Sequence, residues 1–119
     1  MKPEIVAQKQ LNAFNARDIE ALLSIYASDA ELFSHPATLL AKGRDELEKL
    51  FQARFSEPNL KAILLNRIVC GNKVIDQERV IRTFPEGPGE LELTMIYEIQ
   101  DEEIIKAWSI VGPKLLYHD

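Results

Sequence analysis

The spacing of apolar residues changes once along this chain, near residue 60, and that change constrains the fold more than any motif does. Before it, apolar side chains recur at helical intervals. Pro3 and Glu4 suit a first helical turn, where a missing N–H costs nothing and a carboxylate faces the positive end of the helix dipole. Ala7, Leu11 and Phe14 then fall on one helical face, with Val6 and Gln10 beside them. Asp18 can cap a second helix carrying Ile19, Leu22, Leu23 and Tyr26, which Ser28-Asp29 ends. Glu31 to Ser34 reads as a short strand that stops at His35-Pro36, because proline offers no ladder donor. Residues 37–43 read as a loop or short extension with Leu39 and Leu40 tucked inward. Gly43 precedes a third helix with Asp45 and Glu46 in its first turn and Leu47, Leu50, Phe51 and Phe55 on its buried face.

After residue 60 the period shortens to that of strands. Leu60 to Val69 is rich in β-formers, and Gly71-Asn72 is a hairpin signal. Val74 to Phe84 is the return strand. Pro85-Glu86-Gly87-Pro88-Gly89 reads as a loop, Leu91 to Ile99 as a further strand, and Gln100 to Glu103 as a turn. Ile104 to Val111 is the last strand, ended by Gly112-Pro113. Strands joined by tight turns pair antiparallel. The predicted order is α-α-β-α-β-β-β-β in one domain spanning residues 1–119: about three helices, then an antiparallel sheet curved enough to leave a cone, an α+β fold.

Composition removes several classes of function. A net charge of −5 without a basic patch argues against a nucleic-acid partner. No apolar run approaches the roughly 20 residues of a membrane span. The amino terminus turns polar too soon for a signal peptide. Cys70 is the single cysteine, which excludes an internal disulfide and a cysteine-based metal site, and fits a cytoplasmic location. There is no phosphate loop, nucleophile elbow or pair of histidines on a helix.

Residues 6–34, with Phe14-Asn15-Ala16-Arg17-Asp18 and Tyr26-Ala27-Ser28-Asp29-Ala30, resemble the opening of nuclear transport factor 2-like proteins. That superfamily includes ketosteroid isomerases, scytalone dehydratase and SnoaL-like polyketide cyclases. Gly43 to Leu47 resembles the start of the family's third helix. Residues 71–80 and 95–108 resemble its hairpin strands, most closely in SnoaL-like bacterial proteins. The resemblance implies a cystatin-like cone with a pocket, and a homodimer formed through the sheet. It also implies where an isomerase keeps its catalytic groups. The base precedes a proline at the end of the first strand, where this chain has Ser34 and His35 ahead of Pro36. The oxyanion-hole tyrosine lies in the first helix, at the place of Gln10. The protonated aspartate lies on a later strand, at the place of Met95. The isomerase constellation is therefore absent here, residue by residue.

Three candidates remain for proton transfer. His35 has the side chain poised nearest neutrality, the alternative being a loop histidine making an ordinary hydrogen bond. Asp76 and Glu78 lie two apart on a strand and share a face with Val74 and Val80. Pointed into the cone, these carboxyls would have raised pKa values suited to acid or base work; the alternatives are a structural ion pair with Arg67, Arg79 or Arg82, or a charge on a dimer surface. Phe14, Tyr26, Phe51, Tyr97 and Trp108 are the candidate ligand contacts, with core packing as the alternative for each. Trp108 aligns by alternation with Ile104, Lys106 and Ile110. The expected ligand is a small apolar or aromatic molecule, handled by an isomerisation, cyclisation or dehydration through proton transfer next to a carbonyl that needs neither metal nor cofactor; the alternative is a non-catalytic ligand-binding or dimeric interaction domain.

Overall fold

Proline in the first turn and an aspartate cap set the helical layer as the sequence predicts. In the computed structural model, which describes residues 2–118, α1 runs Pro3–Ala16 and α2 runs Ile19–Ile25. The Asp18 carboxylate accepts the Ala21 N–H at 3.1 Å. Between the two helices Arg17 takes the left-handed conformation, φ 54°. Its guanidinium donates to the carbonyls of Phe55 and Pro58 at 3.1 and 3.0 Å, tying the helix turn to the end of α3 (Gly43–Phe55).

Among the described residues there are six strands, two before α3 and four after it: β1 Tyr26–Ser34, β2 Thr38–Lys42, β3 Lys61–Cys70, β4 Lys73–Phe84, β5 Gly87–Gln100 and β6 Glu103–Leu116. They form one sheet in the order β2-β1-β6-β5-β4-β3. Four pairings are antiparallel, but β1 runs parallel to β6, so the sheet is mixed rather than wholly antiparallel. Parallel neighbours need a long crossover, and here it is everything from β2 to β5.

Four local expectations need correction. Residues 38–42 form a strand, since β1 has a free edge to pair with, and Leu39 and Leu40 are exposed rather than tucked inward. The helix expected to reach Ser28 stops at Ile25, because Tyr26 is already paired with Ile104 of β6. The loop expected over residues 85–89 shrinks to a tight turn, with β5 starting at Gly87. Gly89 makes this possible: a Cβ there would collide with the Leu115 carbonyl oxygen of β6. Gly112-Pro113 does not end β6. The register shifts between Leu91 and Leu93 of β5, so the strand absorbs the pair as a bulge and continues to Leu116.

A second bulge has larger consequences. Glu98 pairs with Lys106 and Ile99 with Ile104, leaving Ile105 unpaired. One extra residue reverses the alternation beyond it. Ile104 and Ala107 therefore share the inner face, whereas Lys106, Trp108 and Ile110 point outward.

The helices pack on the inner face. Val6, Leu22, Leu47, Val74 and Ile104 are buried to within 1% of complete. Asn15 joins the two layers by a pair of bonds that imitate a strand: its side-chain amide donates to the Ala62 carbonyl at 2.9 Å and accepts the Ala62 N–H at 2.8 Å. This satisfies an edge group of β3 that no strand covers. It also anchors the end of α1 beside the open part of the cone.

Candidate functional site

The helical layer does not fill the cone, and a cavity of about 550 Å³ remains between it and the sheet. Its walls are mostly apolar, with Leu11 and Phe14 from α1, Leu50 and Phe51 from α3, and Leu32 and Leu93 from the sheet. Phe14 meets Phe51 and Phe55 edge-on, at 6.4 and 5.5 Å between ring centres. These contacts hold the aromatic wall in place.

The closed end is polar. Gln10, Glu78 and Tyr97 line it and are each no more than 5% exposed. The Tyr97 hydroxyl donates to Gln10 Oε1 at 3.0 Å, and Gln10 Nε2 donates to the Tyr26 hydroxyl at 3.5 Å. Burial pushes both phenols above their ordinary range, so each remains a neutral hydroxyl. Glu78 has no hydrogen-bond partner among the described residues. Burial pushes its carboxyl up to about 7; repulsion from Asp76 adds to the rise and Arg67 opposes it. An unpartnered carboxyl that titrates near neutrality and faces a cavity can both take and give a proton.

Asp76 has the other environment. Arg67 Nε and Nη2 donate to its two oxygens at 2.6 and 2.9 Å, and Arg67 Nη1 donates to Gln8 at 2.9 Å. The alternating pattern places both carboxylates inward, but the register shift between Leu64 and Asn66 brings Arg67 opposite Asp76. Asp76 is thereby held in a buried ion pair, while Glu78 is left to the cavity.

The open end is cationic. Leu40, Val111 and Lys114 are exposed there, with Arg54 and Arg82 partly buried behind them. The Glu57 carboxylate accepts from Arg54 Nη1 at 3.0 Å, from Arg82 Nε and Nη2 at 3.1 and 2.7 Å, and from the Thr83 N–H at 3.1 Å. Arg82 and Lys114 each lie 4.9 Å from the centre of the Phe84 ring.

Of the residues singled out in the sequence, Phe14, Phe51, Glu78 and Tyr97 line the cavity. Tyr26 lies behind the wall, its ring 5.9 Å from that of Phe51. The placements expected for His35 and Trp108 are corrected. His35 is exposed on the turn after β1, joined to Pro36 by a cis peptide, and the inward residue at that strand end is Ser34. Trp108 stacks on Phe33 of β1 at 5.8 Å on the outer face, where the bulge at Ile105 turns it. Among the described residues no carboxylate pairs with His35. Sequence reasoning passed over Gln10, Arg54 and Lys114 as site residues. A glutamine within the buried stripe of α1 was the signal for Gln10; nothing local marked the other two.

Among the described residues no cluster of three or more metal-ligating side chains occurs, and no helix is long and apolar enough to cross a membrane. The family model for the SnoaL-like domain matches residues 7–107. No curated protein matches the sequence. Solved structures do. An uncharacterised cystatin-fold protein from Novosphingobium aromaticivorans is 18% identical over 92% of this chain and 98% of its own, with a TM-score of 0.84. IdmH from Streptomyces antibioticus, a candidate polyketide cyclase, is 20% identical over 94% and 93%, with a TM-score of 0.80. A protein with a ketosteroid isomerase-like fold from Catenulispora acidiphila, in complex with trimethylamine, is 15% identical over 92% and 85%, with a TM-score of 0.77. At these identities the likeness is one of fold.

Proposed function

This chain belongs to the SnoaL-like domain family, and on that footing we propose that its cavity binds a small ring-bearing carbonyl compound on which Glu78 moves a proton. The reaction would be an isomerisation, cyclisation or dehydration that begins with proton loss next to the carbonyl. The observation that carries this reading is a buried carboxyl facing an apolar cavity, raised to about 7 and without a hydrogen-bond partner among the described residues. A base of that pKa is half ionised near neutrality, where it takes a proton and returns it with little mismatch. The apolar walls exclude water, which lengthens the life of an enolate and strengthens every polar contact to it.

The developing oxyanion needs a donor. The Tyr97 hydroxyl donates to Gln10 Oε1. Turning over the Gln10 amide places its NH2 toward Tyr97 and its oxygen toward Tyr26, since both phenols can donate or accept. Tyr97 then has its proton free for a ligand oxygen. In this reading Glu78 is the catalytic residue, Tyr97 the oxyanion donor and Gln10 the relay. No cofactor takes part.

A homodimer through the sheet belongs to the same proposal. The register aligns Ile68, Ile75, Ile96, Trp108 and Phe33 in one row across five strands of the outer face. A sheet face left to water normally carries polar residues at such positions.

The test is deuterium exchange at the carbon next to the carbonyl, followed by NMR, over a panel of cyclic ketones and aromatic β-keto esters. Glu78→Gln is expected to lower exchange at least about 100-fold with the fold intact. Equal exchange in the variant refutes the assignment. A non-catalytic binding domain predicts ligand binding with no exchange in either protein.

A further inference from the structure

We infer that the open end of the cavity is an anion subsite, and that the ligand is an amphipathic carboxylate whose charged end sits among Arg54, Arg82 and Lys114. The inference rests on the cavity being a ligand site and adds the class of ligand.

Three cations line the mouth, and two carboxylates pair with them: Glu57 with Arg54 and Arg82, Glu86 with Lys114 at 2.6 Å. One positive charge is left over. Glu57 is also fully engaged, with four donors on its two oxygens. A guanidinium has five N–H groups. Among the described residues Arg54 Nε, Arg54 Nη2 and Arg82 Nη1 have no acceptor. Two planar forks locked by one shared carboxylate are already arranged for a second, because the cost of ordering them has been met by the fold. The Arg82 side chain is only 18% exposed, which makes its charge less screened than a surface arginine's.

The spacing gives the ligand a length. Glu78 and Arg82 line the same cavity from one face of β4, whose pairing with β5 is unbroken between them. Four residues of strand are about 13 Å. The ligand thus presents a reactive carbon at one end, an apolar ring system against Phe14 and Phe51, and a carboxylate about that distance away. An anion near Glu78 would be repelled by it, so the charge belongs at the mouth.

The test is direct binding by isothermal calorimetry. The probes are 2-naphthylalkanoates with one to four methylenes and the primary amide of each, which keeps the shape and removes the charge. At least one acid is expected to bind about tenfold more tightly than its amide, the scale of a charged hydrogen bond. That preference is expected to fall several-fold in Arg54→Gln and in Lys114→Gln, return in Arg54→Lys, and survive in Glu78→Gln. Thermal unfolding of each variant checks its fold. A preference below threefold for every acid, with the amides bound, overturns the anion subsite and leaves the cavity reading standing. A preference untouched by Arg54→Gln and Lys114→Gln overturns it as well. Failure of every acid and amide to bind removes both readings.

Discussion

Asp76 and Glu78 stand two residues apart on one face of β4, yet only Asp76 is bonded to a cation: Arg67 Nε holds it at 2.6 Å, while Glu78 has no hydrogen-bond partner among the described residues. The difference between two adjacent inward carboxyls is what makes one structural and the other available. It also makes the stability of the protein depend on pH in a definite direction.

Glu78 is raised from its ordinary 4.5 to about 7 in the folded state. Between those values the folded chain binds more protons than the unfolded one, so stability decreases as pH rises. The contribution is fully present below about pH 4.5 and is lost as pH passes 7. Its full size is roughly 3 kcal/mol at 1.36 kcal/mol per unit. Urea denaturation at a series of pH values is expected to show this decline, and Glu78→Gln to flatten it. An unchanged slope in the variant refutes the assignment.

Removing Arg67 leaves Asp76 buried and unpaired. Arg67→Met is expected to cost about 3–5 kcal/mol. Arg67→Met with Asp76→Leu should recover most of that, because no charge is then left without a partner. The single variant also removes the charge that opposes the rise at Glu78. Carboxyl NMR titration should find Glu78 protonated to higher pH.

These carboxylates show how far the sequence was legible. Alternation alone put Asp76 and Glu78 on one face, since β4 pairs with β5 without interruption, but it did not say which face of the strand turns inward. Which of the two is free was not legible, because it depends on a shift near Leu65 in a different strand. Trp108 was misplaced for the same reason: period-2 reasoning holds only between bulges, and Ile105 carries no local mark of one. The parallel union of β1 with β6 joins segments far apart in sequence, beyond the reach of any local pattern. His35 drew notice by residue type and by its place ahead of Pro36, neither of which says which way a side chain points. Helix starts were read well at Pro3 and Asp18, where one residue's own chemistry decides.

Tyr97→Phe deletes a donor and leaves Gln10 Oε1 unpaired in a buried place. The expected loss is about 1–2 kcal/mol by thermal denaturation. Gln10→Leu in the same chain should return part of it. If Tyr97 also serves the reaction, exchange falls in Tyr97→Phe while the pH at half-activity set by Glu78 shifts little.

Ile96 sits in the middle of the apolar row on the outer face. Ile96→Glu is expected to convert a dimer to a monomer in light scattering, with the helical content by circular dichroism unchanged. A wild-type protein that scatters as a monomer at all concentrations refutes the sheet-mediated dimer.

Strand β1 bonds to β6, from Tyr26 with Ile104 to Ser34 with Ser109. During synthesis the first strand therefore lacks one of its two sheet neighbours until residues 104–109 have left the ribosome. Strand β6 joins the two parts of the sheet, so folding is governed by contacts of large sequence separation. A nascent chain arrested before residue 104 holds every helix but lacks the strand on which β1 assembles, and it exposes apolar surface that the finished protein conceals.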